Sequence, residues 1–141
     1  MSKGTRFAGY ASIFDVTDQG GDVVRRGAFA SAVAKGPGRV PLLWQHDPKR
    51  PIGVVEGLAE DARGLRVIGR LSAASSQGRE AAGLLKEGAI SGLSFGYRVR
   101  GARKAGRTGG RELTALDLIE ISLVTFPMQP QARVHALAGG D

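Results

Sequence analysis

The stretch Ile90-Ser91-Gly92-Leu93-Ser94-Phe95-Gly96-Tyr97-Arg98-Val99-Arg100 alternates with the period of a half-buried β-strand. Side chains of a strand point alternately to its two faces, so Ser91, Leu93, Phe95, Tyr97 and Val99 share one face. Gly92, Ser94, Gly96 and Arg98 share the other. The apolar set belongs on the core side. The second face sets a serine between two glycines, and glycine inside a strand often marks a close approach by another backbone. A hydroxyl with such openings on both sides suits a nucleophile acting on a peptide. The same pattern also suits a strand with a small, solvated outer face.

Outward from this strand the chain reads as further short strands and two helices. A first strand spans residues 6–14, with Phe7, Tyr10, Ile13 and Phe14, and a polar loop occupies 15–27. Residues 28–35 form a short helix stopped by Gly36-Pro37. Residues 40–46 form a strand, with Val40, Leu42 and Trp44 on one face, and Pro48 and Pro51 break the chain beyond its end. Segments 52–60 and 65–71 make a hairpin closed by Asp61-Ala62-Arg63-Gly64. Ser75 or Ser76 caps a helix over 77–87, with Ala81, Ala82, Leu84 and Leu85 as its stripe and Gly88 as its stop. Two more strands cover 112–116 and 118–126. Strands outnumber helices and do not alternate regularly with them, which predicts a β-rich α+β domain over residues 1–141.

Composition narrows the function classes. A chain of 141 residues, 42% hydrophobic and 23% charged, is long enough for one core. No run approaches the roughly 18 apolar residues of a membrane span. The opening MSKGTRFAGY lacks the apolar core of a signal peptide, so the cytoplasm is the expected compartment. With no cysteine, disulfides, thiolate metal sites and cysteine nucleophiles are excluded. The net charge of +7 permits a polyanionic partner. Much of that charge lies in GARKAGRTGGR (101–111), which has no aromatic residue on which a base could stack, so a solvated hairpin loop is expected there. GARKAGRT (101–108) also falls short of a phosphate-binding loop, with Arg107 in place of the lysine and Gly109-Gly110 where a helix should begin. Asp15, Asp18 and Asp22 lack the spacing of a calcium-binding loop. No cofactor or metal is called for.

Histidine is scarce, and His46 stands at a strand end on the face of Trp44, where a general base could be held. His135, near a polar, glycine-rich end, carries no such signal. In LDLIEISLVTF (116–126), Ile119, Ile121 and Leu123 form one apolar face, and Glu120 lies opposite among Leu118, Ser122 and Val124. A carboxylate there is costly unless paired. It sits on a wet edge strand or orients an imidazole, with Asp117 as the local competitor. Asp47 is poorly placed for that task, because adjacent side chains diverge. Ser94, His46 and Glu120 can make a nucleophile, base and orienter.

Taken together, VPLLWQHDPKRPIG (40–53), LLKEGAISGLSFGYRV (84–99) and LIEISLVTFPMQPQARV (118–134) resemble the tailed-bacteriophage prohead maturation proteases, which are similar to the herpesvirus assemblins. GYASIFDVTDQGGDVVRRGAF (9–29) resembles that family's opening, so the likeness runs from about residue 7 to residue 134. It implies a small β-barrel with surrounding helices and a serine endopeptidase. Such an enzyme processes the scaffold or the major capsid protein, and itself, inside an immature capsid in the host cytoplasm. The family's histidine matches His46, its serine Ser94 and its third member Glu120, where assemblins carry a second histidine. Homodimerisation through helices is the assemblin habit. Met128 and Gln129 depart from the smaller residues expected in the Thr125–Gln131 turn, which is the candidate oxyanion site. The competing reading is a basic, non-enzymatic capsid or nucleic-acid-binding module on the same fold.

Overall fold

The structure, a computed structural model, describes residues 4–104 and 110–139. Its elements in chain order are β1 (Thr5–Ile13), β2 (Val23–Val24), α1 (Ala30–Lys35), a 3-10 turn (Pro37–Arg39), β3 (Pro41–Trp44), β4 (Asp47–Glu60), β5 (Gly64–Leu71), α2 (Ser76–Lys86), β6 (Gly92–Lys104), β7 (Arg111–Val124) and β8 (Val134–Gly139). The strands form one mixed sheet in the order β2-β7-β3-β4-β5-β1-β8, with β6 on the other edge of β7. The expected β-rich α+β class is thus observed.

β7 organises the sheet. Along one edge it pairs antiparallel with β6. Along the other it pairs in parallel with β2 at Glu112 and Leu113, and with β3 at Ile121, Ser122 and Leu123. Sequence reading divided β7 at Asp117, whereas the strand is continuous there, with irregular pairing at Ala115 and again between Glu120 and Leu118. The last irregularity is a β-bulge that turns Ile119 out of the expected apolar face and leaves it 46% exposed, while Ile121 and Leu123 are buried.

The other departures have equally local causes. Pro48 and Pro51 do not break the chain but lie within β4, where the β3–β4 register slips at Leu42, Leu43 and Trp44. Those slips accommodate residues without an N–H to donate. The β4–β5 hairpin closes as expected, with Asp61 Oδ1 accepting the N–H groups of Arg63 (2.8 Å) and Gly64 (3.1 Å). Ser75 caps α2 by accepting from Gly78 N–H at 2.9 Å. β2 and β8 were not anticipated. Gly101–Lys104, expected in a loop, continue β6; residues 105–109, with Arg107, lie outside the described residues.

The core lies under the sheet's inner face, built from Phe7, Leu42, Leu65, Leu93, Leu113, Ile121 and Leu123, with Phe29 entering just before α1. The helices pack outside it, α1 on β4 and β7, α2 on β4 and β5. The path of paired strands is open and does not close into the expected barrel. One bridge, Gly92 with Arg133, links β6 to the segment that leads into β8. Backbone bonds from Leu93 to Ala132 and from Tyr10 to Arg133 flank it. None of the described helices is long and apolar enough to cross a membrane.

Candidate active site

His46 is not on a strand. Gln45 and His46 are the two central residues of the β3–β4 turn, and both have positive φ, 52° and 62°. A two-residue hairpin turn of this kind matches the twist of its strands but asks for glycine or asparagine. Each side chain held there costs about 1–2 kcal/mol. The far end of β7 supplies the restraint. Gln45 donates its N–H to the Leu123 carbonyl (2.9 Å) and its Nε2 to Thr125 Oγ1 (2.6 Å), and its Oε1 accepts from Thr125 N–H (3.0 Å). The His46 N–H donates to Ser122 Oγ at 3.0 Å.

The imidazole is held by the same strand. His46 Nδ1 lies 2.5 Å from Glu120 Oε1, and Ser122 Oγ donates to Glu120 Oε2 at 2.5 Å. These bonds close a ring: His46 backbone to Ser122, Ser122 to Glu120, Glu120 to the His46 side chain. A carboxylate oxygen accepts, so the proton is assigned to Nδ1 and the lone pair to Nε2. Glu120 is 7% exposed and Ser122 0%, so the carboxylate is largely shielded from water. The competing carboxylates are engaged elsewhere. Asp117 meets Arg100 at 3.3 Å, and Asp47 accepts from the Lys49 N–H at 2.9 Å.

Register brings Ser94 to this ring. Ser94 on β6 lies opposite Ser122 on β7, and Gly96 lies opposite Glu120. Residues directly opposite share a face, so Ser94, Ser122 and Glu120 project to the same side. Ser94 and His46 both line a cleft of about 80 Å³, together with Asp18, Tyr97, Met128 and Gln129. No direct hydrogen bond joins Ser94 to His46 among the described residues. The face is not the open, solvated one suggested by its small residues, because Ser94 is only 6% exposed. The glycines serve this chain's own packing rather than a substrate's approach. A Cβ on Gly96 would lie 2.8 Å from Glu120 Oε1, and one on Gly92 would lie 2.6 Å from the Val124 carbonyl oxygen.

Ser122 is the residue that sequence reading passed over. Its position two after Glu120, on the same strand face, was the available signal. Gln45 gave none. Ser91, the serine that alternation places with the apolar residues, accepts from Arg133 Nη1 at 3.1 Å. His135 lies on β8 against the Tyr10 ring, at 5.8 Å between centroids. Around the basic hairpin, Arg103 pairs with Glu112 (2.6 Å), Arg111 with Asp22 (2.9 Å), and Arg25 with Asp15 (2.7 Å).

The hydrogen bond to Glu120 raises the His46 pKa above its ordinary 6.5, against the opposing effect of partial burial, and the carboxylate's charge adds to the rise. The protonated ring is therefore favoured in the folded chain. That contribution to stability is fully present below the unfolded value and is lost as pH rises through the higher folded value. An NMR titration of His46 should give a midpoint above 6.5, and Glu120→Gln should lower it. An unmoved midpoint would contradict the contact.

The family comparisons agree with one another. A model described as the caudovirus prohead serine protease matches residues 1–139. The prohead protease of Enterobacteria phage HK97 is 34% identical over 137 residues, which are 96% of this chain and 61% of that protein. A capsid polyprotein of Pseudomonas phage PAJU2 is 27% identical over 108 residues, or 72% of this chain and 16% of the relative. The chain thus spans under two thirds of the curated relatives it matches. Among solved structures, the bacteriophage T4 capsid assembly protease aligns with a TM-score of 0.66 at 14% identity, covering 86% of this chain and 82% of that one. The Kaposi's sarcoma-associated herpesvirus protease aligns at 0.64 and 12% identity, covering 96% and 65%. These two likenesses show a shared fold. With the family model matched along nearly the whole sequence, the chain belongs to the caudovirus prohead serine protease family.

Proposed function

We propose that this chain is a serine endopeptidase that cleaves scaffold or major capsid protein, and itself, during maturation of a phage or phage-like procapsid. The observation that carries the reading is the placement of His46, Glu120 and Ser122 in one hydrogen-bonded ring, with Ser94 on the same sheet face and in the same cleft. Ser94 Oγ attacks the scissile carbonyl as its proton passes to His46 Nε2. The C–N bond then breaks and the leaving amine takes that proton. Water, deprotonated by His46, releases the acyl group. Glu120 fixes the Nδ1–H tautomer and stabilises the imidazolium. The oxyanion donors are assigned to the turn after β7. There Thr125 N–H is spent on Gln45 and the Gln129 side chain on Ile13, while Met128 and Gln129 line the cleft.

The names of the relatives, a prohead protease, a capsid polyprotein and a capsid assembly protease, support a capsid substrate. The pairing of Arg25, Arg103 and Arg111 with acids disfavours a nucleic-acid-binding module, since phosphates would have to displace those partners. The deciding experiment co-expresses the chain with a candidate capsid or scaffold protein. Wild type should yield shortened subunits, and Ser94→Ala or His46→Ala full-length ones. Equal processing by all three would overturn the reading.

Ser122 is a positioning residue in this scheme. Ser122→Ala frees one Glu120 oxygen and leaves the His46 N–H without its acceptor. We expect kcat to fall about 10- to 100-fold with KM nearly unchanged, because a misplaced base costs turnover more than binding. Ser122→Thr keeps the hydroxyl and should recover part of the loss. Equal values for the two variants would remove Ser122 from the scheme.

A further inference from the structure

We propose that Asp18 makes a cation-accepting subsite beside Ser94, so that the substrate residue whose carbonyl is attacked carries a lysine or arginine side chain. This subsite rests on the proteolytic reading of Ser94 and His46. Asp18 shares the cleft with both. It belongs to an acidic loop in which two neighbours are already neutralised, Asp15 by Arg25 at 2.7 Å and Asp22 by Arg111 at 2.9 Å. Asp18 has no ion pair among the described residues, although the chain carries a net +7. Its Oδ1 accepts the N–H groups of Gly20 (2.8 Å) and Asp22 (3.0 Å), which fixes the carboxylate on its loop. Oδ2 accepts no hydrogen bond from the described residues.

The remaining walls suit a long cationic side chain. Phe95 and Met128 line the cleft and can cover a methylene stem while the charged head reaches Asp18. Tyr97 lines it too and offers a ring face to a cation. The Tyr97 phenol is pushed up first by burial and then by the charges of Asp22 and Asp18, so the negative field extends to that ring. An acidic substrate side chain would meet the same field as repulsion.

Peptidyl diphenyl phosphonates test the subsite without requiring peptide turnover. The serine oxygen bonds to phosphorus, its proton leaves through the base, and phenol departs, giving a stable adduct read by mass spectrometry. Three probes carry lysine, norleucine or glutamate at the reacting position. Wild type should react with the lysine probe roughly 10- to 100-fold faster than with norleucine, the range of a charge-assisted hydrogen bond. Asp18→Asn retains an acceptor for Gly20 and Asp22 but lacks the charge, and should bring that ratio close to one. Asp18→Lys should shift the preference toward glutamate. Should either variant fail to fold, the wild-type ratio and its decline with rising salt decide the matter. Equal wild-type rates for lysine and norleucine overturn the subsite alone. No adduct on Ser94 with any probe overturns the proteolytic reading and the subsite with it.

Discussion

Ser94→Ala should lower turnover by about 10⁵- to 10⁶-fold, the loss expected when the nucleophile of a cooperating triad is removed. The fold should hardly register the change. Ser94 makes no hydrogen bond to His46, and Ser122 opposite it already donates to Glu120. Exchanging one small, nearly buried side chain for another leaves the sheet pairing and the His46 ring in place, so Tm should stay within a few degrees. The combination is diagnostic. Processing that survives in a folded Ser94→Ala protein would place the nucleophile elsewhere, and lost processing with a lost fold would call for Ser94→Gly as the control.

Glu120→Gln should cost about 10⁴-fold, because the amide offers no orientation that satisfies both partners. With its oxygen toward Ser122, its NH₂ faces His46 Nδ1, which must then accept. The ring proton moves to Nε2, and the base is lost. With its oxygen toward His46, its NH₂ faces the Ser122 hydroxyl, which loses its acceptor in a fully buried position. Glu120→Asp keeps the charge but falls one methylene short of the 2.5 Å contact, and a partial loss of about 100-fold is expected. The acid limb of kcat/KM should shift in parallel. It should lie above the ordinary 6.5 in wild type, where Glu120 favours protonated His46, and should move down in Glu120→Gln. Near-wild-type rates in that variant would exclude Glu120 as the orienting group.

Much of the proposed site was legible one residue at a time. Alternation chose Ser94 over Ser91, scarcity drew attention to His46, and a carboxylate between apolar neighbours marked Glu120. The hairpin turn from Asp61 to Gly64 was equally plain, because its hydrogen bonds are local. The contact of His46 with Glu120 was not legible, since the two are 74 positions apart. Their contact depends on β3 pairing in parallel with β7. The bulge that expels Ile119 was hidden for a related reason: register is a property of two strands, and one strand's sequence specifies only its own period. The glycines around Ser94 misled for the same cause. Their small size was visible, but the Glu120 carboxylate that requires it at Gly96 comes from another strand.

β7 is the shared partner of the strands that deliver the serine and the histidine, and it supplies the carboxylate itself. A growing chain therefore emerges from the ribosome with Ser94 and His46 already made and no β7 to align them. Contacts of such long sequence separation form late, after the entropy of closing large loops has been overcome. On the proposed mechanism, reactivity would begin only when β7 is seated between β3 and β6, which would separate the moment of synthesis from the moment at which neighbouring proteins are exposed to cleavage.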